Sequence, residues 1–375
     1  ISLNSPWLDE VVDSNGDIRG EVSVGIDQLG NIHVAYHDYT SNSLKYAYKE
    51  NNSWTISVVD SSTVSPGSGM SYNSLAIDST GAIHIVYGDT DSDVLRHARK
   101  NSTASNFYIQ NIFTGTGPLP PYHSLAIDSN DIPHVSMIGW SGANLKQKYA
   151  TVVNGTWVAS DVANLDGAGG QSYLALDSNN SPHIIFKDYS TSPSTIKHAT
   201  NLGSVSSQNW QITTVVSSFT NNFNFVIDSL DNIHICYSTG FSEFSNMKYA
   251  TKTNGNWTNE VVDEYGSVGW NIDCAMNQLG QIEIVYEDKS ENEIKRAKKV
   301  GNNWEIIGIT NVVWAGYTAI DIDSNGNIAV AYQENLNKDL HVVTHSPTTT
   351  NTSSGPSTWS NTTIGFDMSQ VSAIL

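Results

Sequence analysis

One sequence pattern returns at a nearly constant interval along most of the chain. Two apolar runs flank a short polar turn, as in SLAIDSTGAIHIVYGD at residues 74–89, and the first residue of the turn serves here as the anchor of each copy. The seven anchors are Asp27, Asp78, Asp128, Asp177, Asp228, Asn277 and Asp323. Successive anchors lie between 46 residues (Asn277 to Asp323) and 51 residues (Asp27 to Asp78) apart. A fixed period of this size indicates one array of repeated units rather than several unrelated domains.

Each copy contains the sequence for four short strands. The two runs around the anchor are rich in Ile, Val and Tyr, which predicts a hairpin of strands a and b. A third run that ends in alanine predicts strand c, and its six clearest copies are LKYA at 44–47, LRHA at 95–98, QKYA at 147–150, IKHA at 196–199, MKYA at 247–250 and IKRA at 294–297. A fourth run that begins with an aromatic residue predicts strand d, and these aromatics are Trp54, Phe107, Trp157, Trp210, Trp257 and Trp304. Four antiparallel strands in seven repeats predict an all-β, seven-bladed β-propeller with strand a nearest the central channel.

Two segments compete for the outer strand of the last blade. Residues 5–13 resemble a strand d, and Trp7 precedes Asp27 by the same 20 residues that separate Trp157 from Asp177. We therefore expect this segment to close the ring, so that the propeller spans residues 1–345. Residues 346–375 are predicted to be a Ser/Thr-rich linker (346–357) and an extra C-terminal strand (358–367). A spare strand can join the sheet of a neighbouring molecule, so self-association by strand exchange is one predicted interaction.

Composition argues against several classes of partner. The net charge is −19 and only 15% of residues are charged, which argues against binding to nucleic acid or anionic membranes. No apolar run approaches the ~20 residues of a membrane helix, so no membrane insertion is expected. The chain begins with Ile1, as a chain does after loss of a leader or trimming, and we expect an extracellular or cell-surface location. Cys236 and Cys274 fall in adjoining blades, either as two buried small residues or as one disulfide.

Two repeated polar positions have structural explanations. Strand b carries a histidine in five copies, namely His33, His84, His134, His183 and His234. Equivalent positions on different blades stand radially around the ring and cannot converge on one metal ion, so we expect buried imidazoles that bond the backbone of a neighbouring blade. The Asp-Ser turns offer too few oxygens for calcium and are explained by turn chemistry. We therefore expect no metal and no cofactor.

The candidate ligand-binding residues lie on one face of the ring. The d–a and b–c connections share this face, here called the connection face, while the a–b and c–d turns share the opposite turn face. Aromatic rings stack on sugar C–H groups and carboxylates accept hydroxyl hydrogen bonds, so this combination favours a carbohydrate site. The predicted site residues are Tyr39, Tyr72, Tyr122, His123, Trp140, Tyr189, Trp270, Tyr317, Asp38, Asp89, Asp188 and Asp288, and the same connections contain Arg19, Glu21, Trp314, Phe241, Phe244 and Glu334. The alternative is that the acids cap their own loops and the aromatic rings fill the channel.

The Asn-x-Ser/Thr sequons also distinguish the two faces of the ring. Five candidate glycosylation sites fall in a–b or c–d turns, namely Asn51, Asn101, Asn154, Asn179 and Asn256. Glycans at these positions would cover the turn face and leave the connection face bare. Asn351 and Asn361 add two candidates in the C-terminal segment.

The repeated motif IDSxGxIHxxY, followed by LKYA and a tryptophan, resembles the extracellular seven-bladed propeller repeats of bacteria and archaea, and it is loosely similar to sialidase (Asp-box) propellers and propeller lectins. A sialidase would imply three arginines around the substrate carboxylate, a Tyr nucleophile with a Glu, and an acid/base Asp. The chain has four arginines, and Arg96, Arg99 and Arg296 lie on strand c, so this set cannot assemble. A polysaccharide lyase would need a cation and a His or Tyr base, for which only His123, Tyr122 and Arg19 were found.

These observations predict a secreted or cell-surface, non-catalytic binding propeller, one that is not an enzyme and whose partner is a glycan or a cell-surface polymer. One alternative is a structural subunit of a surface layer or filament, assembled by exchange of a terminal strand. A second alternative is a polysaccharide lyase or glycoside hydrolase. Fold alone does not decide among them.

Overall fold

The computed structural model describes residues 7–61, 72–89, 92–117, 121–165, 169–190, 192–201, 209–218, 220–240, 245–253 and 255–347. These residues form 28 strands and no helix. In chain order, the first fourteen strands are β1 (Leu8–Asp13), β2 (Ile18–Ile26), β3 (Ile32–Asp38), β4 (Ser43–Glu50), β5 (Ser53–Ser61), β6 (Asn73–Ile77), β7 (Ile83–Asp89), β8 (Val94–Lys100), β9 (Tyr108–Thr114), β10 (His123–Ile127), β11 (Pro133–Ser141), β12 (Asn144–Val153), β13 (Thr156–Leu165) and β14 (Gly169–Leu176). The other fourteen are β15 (Pro182–Asp188), β16 (Thr195–Asn201), β17 (Trp210–Ser217), β18 (Thr220–Ile227), β19 (Ile233–Thr239), β20 (Asn246–Thr253), β21 (Asn256–Asp263), β22 (Val268–Met276), β23 (Ile282–Asp288), β24 (Glu293–Val300), β25 (Asn303–Asn311), β26 (Ala315–Ile322), β27 (Ile328–Glu334) and β28 (Asp339–His345).

The strands pair into seven separate four-stranded antiparallel sheets. Six sheets use four consecutive strands each, from β2-β3-β4-β5 in the first blade to β22-β23-β24-β25 in the sixth. The seventh has the order β26-β27-β28-β1, so that the first strand of the chain forms its outer edge. The predicted seven-bladed propeller is therefore confirmed.

Ring closure joins the two ends of the array in one sheet. Strand β1 pairs with β28 from Leu8 opposite Thr344 to Asp13 opposite Leu340, with one irregularity in register after Val11. The prediction that the N-terminal strand closes the ring is confirmed. The competing strand at residues 358–367 and its linker lie outside the described residues, apart from Ser346 and Pro347. Strand exchange through that segment stays a prediction.

Burial falls from the second strand of each blade to the outermost. All seven residues of β3 are buried, because the strand lies between two others in its sheet and neighbouring blades cover both its faces. Four of its residues are apolar, and the buried polar ones are His33, His37 and Asp38. The outer strand β5, by contrast, exposes most of its residues. Apolar clusters fill the spaces between blades; one of them packs Tyr46 of the first blade with Ile85 and Tyr87 of the second.

A recurring set of polar and aromatic groups, here called the histidine stack, links each of the first five blades to the next. It comprises the anchor Asp, the strand b histidine, an aromatic or imidazole ring on strand c, and the strand d aromatic of the following blade. In the second blade, His84 Nε2 lies 3.1 Å from Asp78 Oδ2, and His84 Nδ1 lies 3.0 Å from His97 Nε2. The ring of Trp157 in the third blade then packs on His97 at 5.3 Å.

The histidines therefore contact groups other than those expected. The prediction that they bond the backbone of a neighbouring blade is wrong, because their hydrogen bonds stay within their own blade and the neighbour is reached through ring packing. Burial lowers the pKa of His84 despite the opposing effect of Asp78, and burial lowers the pKa of His97 to about 3. His84 and His97 are therefore neutral at pH 7 and belong to the packed interior.

The sixth blade builds the same connection from other residues. Asn277 replaces the anchor Asp, Glu283 replaces the histidine and Arg296 replaces the strand c ring. Glu283 accepts a hydrogen bond from Asn277 at 2.9 Å and pairs with Arg296 at 2.5 Å. The guanidinium lies 5.8 Å from the ring centre of Trp7, which thus fills the strand d aromatic position of the closing blade.

The anchors also fix the turns between strands a and b. Asp27 Oδ1 accepts the backbone N–H groups of Leu29 and Asn31 at 2.9 and 2.8 Å, and the other anchors repeat this pattern. This is the side-chain-to-backbone bonding that short polar residues supply in tight turns. It accounts for the repeated acid or amide at each anchor without a bound cation.

The two cysteines are free, buried thiols, and Cys236 Sγ donates to the carbonyl of Asn224 at 3.3 Å. Of the two alternatives from the sequence, the structure has the unbonded pair. Within the described residues, no helix has the length and hydropathy needed to span a membrane.

Candidate functional site

At the channel mouth on the connection face, one position within strand a or just before it carries four residue types in the seven blades. Six residues before each anchor, the chain carries Glu21, Tyr72, Tyr122, Gln171, Asn222, Asn271 and Tyr317. This variation contrasts with the repeated anchors and histidines. Because a ring of identical blades would offer seven equivalent sites, such differences are what can create a single site.

Three tyrosines crowd one side of the mouth. The hydroxyls of Tyr72 and Tyr317 are 2.7 Å apart, and the ring of Tyr72 also contacts that of Tyr122 at a centroid distance of 5.0 Å. Burial raises the pKa of Tyr317 to about 12, and burial also raises the pKa of Tyr72. The two phenols are therefore neutral at pH 7 and can exchange a proton through their hydrogen bond.

Below the mouth, the channel holds a polar cavity of about 170 Å³. Glu21 and Asp273 both line it. Burial raises the pKa of Glu21 well above its usual value, with a further contribution from Asp273, and burial raises the pKa of Asp273 to about 7. Asp273 is fixed by hydrogen bonds from Ile320 N and Cys274 N, both at 2.8 Å. Among the described residues, no side chain or backbone N–H donates to the Glu21 carboxyl.

A groove of about 360 Å³ opens beside the mouth, lined by residues of the first, fifth, sixth and seventh blades. It contains four aromatic side chains, two cations and several amides, namely Arg19, Tyr39, Asn222, Trp270, Asn271, Lys289, Trp314, Tyr317, Gln333 and Asn335. Of the described residues that line it, none is Asp or Glu. The described lining thus carries two cations and no carboxylate, although Arg19 is paired with Asp17 outside the groove, and in a chain of net charge −19 this composition favours anionic ligands.

The aromatic residues of the groove are held in specific conformations. Trp314 is 64% exposed and has a backbone φ of +63°, an unfavourable conformation for a large side chain. Lys289 Nζ lies 3.5 Å from the ring centre of Trp270. Arg19 lies 5.9 Å from the ring centre of Tyr39 and also pairs with Asp17 at 2.6 Å. The groove thus presents rings and cations side by side.

Asn271 connects the groove with the channel cavity, since it lines both. Its backbone φ is +49°, and its side-chain amide donates to Glu287 Oε2 at 3.0 Å and to Ala315 O at 3.1 Å. Burial raises the pKa of Glu287 to about 7, against an opposing effect of Lys289. These contacts fix Asn271 at the boundary between the two spaces.

The predicted aromatic site residues do not all lie in one site. Tyr39, Trp270 and Tyr317 meet in the groove. Trp140 packs against the core of the third and fourth blades, and Tyr189 stands 45% exposed on the fourth blade. Phe241 and Phe244 lie outside the described residues.

His123 lies between blades and not in the groove. It is 4% exposed, its Nε2 donates to Val86 O at 3.2 Å, and burial lowers its pKa to about 4. It therefore has a packing role, which removes it from the small set of bases that the sequence had suggested for a lyase.

The four predicted carboxylates are buried and paired. Each is at most 3% exposed and lies against a cation of strand c, in the pairs Asp38–Lys45, Asp89–Arg96, Asp188–Lys197 and Asp288–Lys295. Asp38 also accepts hydrogen bonds from Thr40 N and Ser41 Oγ at 2.9 and 2.7 Å. These contacts match the alternative reading, in which the acids cap their own loops.

Several groove residues were missed by the sequence analysis. Lys289, Asn271 and Gln333 were not singled out, and Arg19 and Trp314 were noted but not placed among the predicted site residues. Lys289 directly follows the carboxylate that ends strand b of the sixth blade, so an alignment of the b–c connections for positive charge would have found it. The selection of Asn271 and Gln333 required the positions of neighbouring blades.

Five sequons lie at the turn face, as their places in the strand order require. Asn51 lies between β4 and β5, Asn154 between β12 and β13, and Asn179 between β14 and β15. Asn101 follows β8, and Asn256 begins β21. Asn351 and Asn361 lie outside the described residues, and glycosylation stays a prediction.

Known structures share the propeller fold but little sequence with this chain, and the lectin among them has six blades. No protein-family model matches the sequence, and no curated protein does. A PL25 ulvan lyase, solved bound to -[GlcA(1-4)Rha3S]-, has a TM-score of 0.61 at 12% identity and covers 88% of this chain and 95% of its own. The polysaccharide lyase Uly1 has a TM-score of 0.53 at 9% identity, covering 90% and 91%. The fucose-binding Aleuria aurantia lectin has a TM-score of 0.53 at 11% identity, covering 73% and 91%.

These likenesses support the fold and correct one prediction. The resemblance to propeller lectins is confirmed at the level of the fold. The prediction that the chain is not an enzyme is wrong. Two polysaccharide lyases have a similar propeller fold, so this architecture does not argue against catalysis. Neighbours of this fold include both sugar-binding proteins and enzymes that act on polysaccharides.

Proposed function

We propose that this propeller acts on an anionic polysaccharide outside the cell, holding it in the groove and cleaving it by β-elimination. The observation that carries the proposal is the composition of the groove: two cations and four aromatic rings, with no carboxylate among its described lining residues, in an acidic chain. Rings of this kind stack on sugar C–H faces, and cations neutralise the uronate or sulfate groups of the polymer.

Elimination at a uronate needs a cation beside the sugar carboxylate and a group that moves a proton. The base removes the proton from C5, the C5–H electrons form a C4–C5 double bond, and the C4–O bond breaks as the leaving oxygen gains a proton. Arg19 and Lys289 are the cations that can stabilise the charge that develops on the carboxylate. No water is consumed, so the product carries a new double bond.

Tyr317 is the proton-transfer group of this proposal. Its hydroxyl lies at the junction of groove and cavity and is 2.7 Å from the hydroxyl of Tyr72, which can return or receive the proton. Because burial raises the pKa of Tyr317 to about 12, the fraction that can act as a base increases with pH. The rate of elimination should therefore rise through the neutral and alkaline range.

The test uses the full chain with a uronate-containing polysaccharide and follows the ultraviolet absorbance of the new double bond. Tyr317→Phe keeps the ring and removes the hydroxyl, so we expect kcat to fall by roughly 10²-fold or more with little change in KM. Tyr189→Phe is the matched control, since this tyrosine is exposed on the fourth blade, and its kcat should equal that of the wild type. Equal activity of wild type and Tyr317→Phe would reject the assignment.

Other outcomes separate the remaining functions. New reducing ends without a double bond would indicate the hydrolase alternative. Tight binding without any product would indicate a lectin-like function in the same groove. The filament alternative depends on residues 358–367, which lie outside the described residues, and would require self-association of the full chain.

A further inference from the structure

The second residue of the strand c motif, the K of LKYA, can be compared across all seven blades. In the first six blades this residue is a lysine or arginine, namely Lys45, Arg96, Lys148, Lys197, Lys248 and Lys295. In the first, second, fourth and sixth blades it pairs with the carboxylate that ends strand b. The seventh blade alone has a histidine there, His341.

The sixth and seventh blades both have an acidic pair at this position, although Lys295 of the sixth also lies 3.6 Å from Asp263 on the outer strand of the fifth blade. In the sixth, Lys295 Nζ lies 2.5 Å from Asp288 and 3.8 Å from Glu293, the facing residues that end strand b and begin strand c. In the seventh, the facing residues are again acidic, Glu334 and Asp339. Within the described residues, neither of these two carboxylates forms an ion pair. The seventh blade therefore keeps the acidic pair and lacks the lysine.

His341 and two carboxylates lie close enough together to share one metal ion. One donor atom each from Glu334, Asp339 and His341 lies within 4.8 Å of the others. His341 Nδ1 lies 3.1 Å from Asp9 Oδ1, which leaves Nε2 for coordination. Asp9 is itself held by the hydroxyls of Thr310 and Tyr332 at 2.6 and 2.8 Å. A carboxylate bonded to the second ring nitrogen is the arrangement that orients histidine ligands in metal sites.

We propose that Glu334, Asp339 and His341 bind a divalent metal ion, with Zn²⁺ as the best match, and that this ion takes the place of the lysine found in the other blades. One imidazole nitrogen and two carboxylate oxygens, completed by water, form a ligand set that zinc accepts, whereas calcium and magnesium prefer oxygen ligands alone. Histidine coordinates as the neutral imidazole, so the ion supplies the positive charge that the acidic pair lacks.

The location of this set gives the ion a role in ring closure. Glu334 ends β27, Asp339 and His341 lie on β28, and Asp9 lies on β1, the strand that closes the ring. A bound ion would join β27 directly to β28, and it would reach β1 only through the contact between His341 and Asp9. It would stabilise the native state by mass action, because the unfolded chain does not hold these ligands together. The expectation from sequence that the chain has no metal rested on the repeated histidines of strand b and on the Asp-Ser turns, and His341 belongs to neither set.

The test measures metal binding and thermal unfolding of the full chain after treatment with EDTA and removal of the chelator. Calorimetric titration with ZnCl₂ should give one strong site, and Co²⁺ as a probe should give visible absorption bands of a coordinated ion. The melting temperature should rise by roughly 3 °C or more at free Zn²⁺ about a hundredfold above the dissociation constant.

His341→Lys is the decisive variant, because it installs the residue that the other blades use. It should lose the zinc site and the cobalt bands, while its melting temperature without metal equals or exceeds that of the metal-free wild type. Glu334→Gln, which keeps the side-chain shape, should also weaken Zn²⁺ binding by at least tenfold. His345→Lys makes the same change four residues along the strand and should bind Zn²⁺ as the wild type does.

Two results would overturn the proposal. One is a wild-type chain with neither a stoichiometric zinc site nor a metal-dependent melting temperature. The other is a pattern of zinc binding that does not depend on the proposed ligands. Undiminished binding by both His341→Lys and Glu334→Gln, or an equal loss of binding in His345→Lys, would assign the ion to another location or to adventitious binding only.

Discussion

The histidine stack and the groove are built from strands of the same repeat, yet they follow opposite rules. In the stack, five blades have the same Asp and His, separated by 3.1 to 3.6 Å. At the channel mouth, one position within strand a or just before it carries Glu, Tyr, Gln and Asn in different blades. Repetition suits contacts that must recur between every pair of blades. Variation suits recognition, because only an asymmetric ring has one distinct site.

We expect the largest change in stability from low pH, because protonation involves many buried imidazoles of the histidine stack and its surroundings at once. Burial lowers the pKa of most of the histidines, with values of about 3 for His97 and His198 and about 4 for His37 and His123. The native state therefore binds fewer protons than the unfolded chain below the ordinary histidine pKa of about 6.5. Stability is fully present above that pH and should fall as the pH drops from about 6.5 toward 3. Denaturant unfolding between pH 8 and 4 measures this, and a flat profile would show that the histidines are not buried in their neutral form.

The sixth blade offers the next largest effect. Glu283 is 2% exposed and compensates the charge of Arg296. Glu283→Ala leaves that guanidinium without its partner, so we expect a loss of about 3–5 kcal/mol in the free energy of unfolding. The triple change Asn277→Asp, Glu283→His and Arg296→Tyr restores the residues of the other blades. It should recover most of the loss, and failure to recover it would mean that the ion pair has a role besides linking the blades.

The sequence was sufficient for the ring, because its unit repeats. Seven similar runs around Asp27 to Asp323 determine the number of blades, and the spacing from Trp7 to Asp27 identifies the closing strand. The partners of the histidines were not predictable, because the strand c ring that each one meets is set by the register of two strands. The groove was only partly predictable, since residues from four blades meet there and no local pattern relates Arg19 to Lys289.

The carboxylates of the b–c connections illustrate the same limit. Asp38 and Asp288 were judged as exposed sugar ligands from their positions next to the connections. Their burial depends on Lys45 and Lys295, which reach them from the adjacent strand. A sequence places residues near a face, but the pairing of side chains across strands decides which of them a ligand can reach.

A substitution of Trp314 should have a smaller effect, but one that separates ligand binding in the groove from the stability of the fold. Its ring is 64% exposed, and its backbone lies at φ +63°, a conformation that glycine adopts at little cost. Trp314→Gly should leave stability unchanged or raise it by up to about 1 kcal/mol. The same change should weaken polysaccharide binding by roughly 1–2 kcal/mol through loss of a stacking surface. Melting temperature and calorimetric affinity measure the two quantities, and a fall in stability without a change in affinity would reverse the assigned role.

The most direct measurement compares affinity for an anionic polysaccharide with melting temperature in two variants. The double change Arg19→Ala and Lys289→Ala should reduce affinity at least tenfold and weaken its dependence on salt, with a melting temperature close to that of the wild type. His84→Ala should lower the melting temperature through a loss of about 1–3 kcal/mol and leave affinity intact. Unchanged affinity in the double variant, or equal affinity for neutral and anionic polysaccharides in the wild type, would contradict the assignment of recognition to the groove.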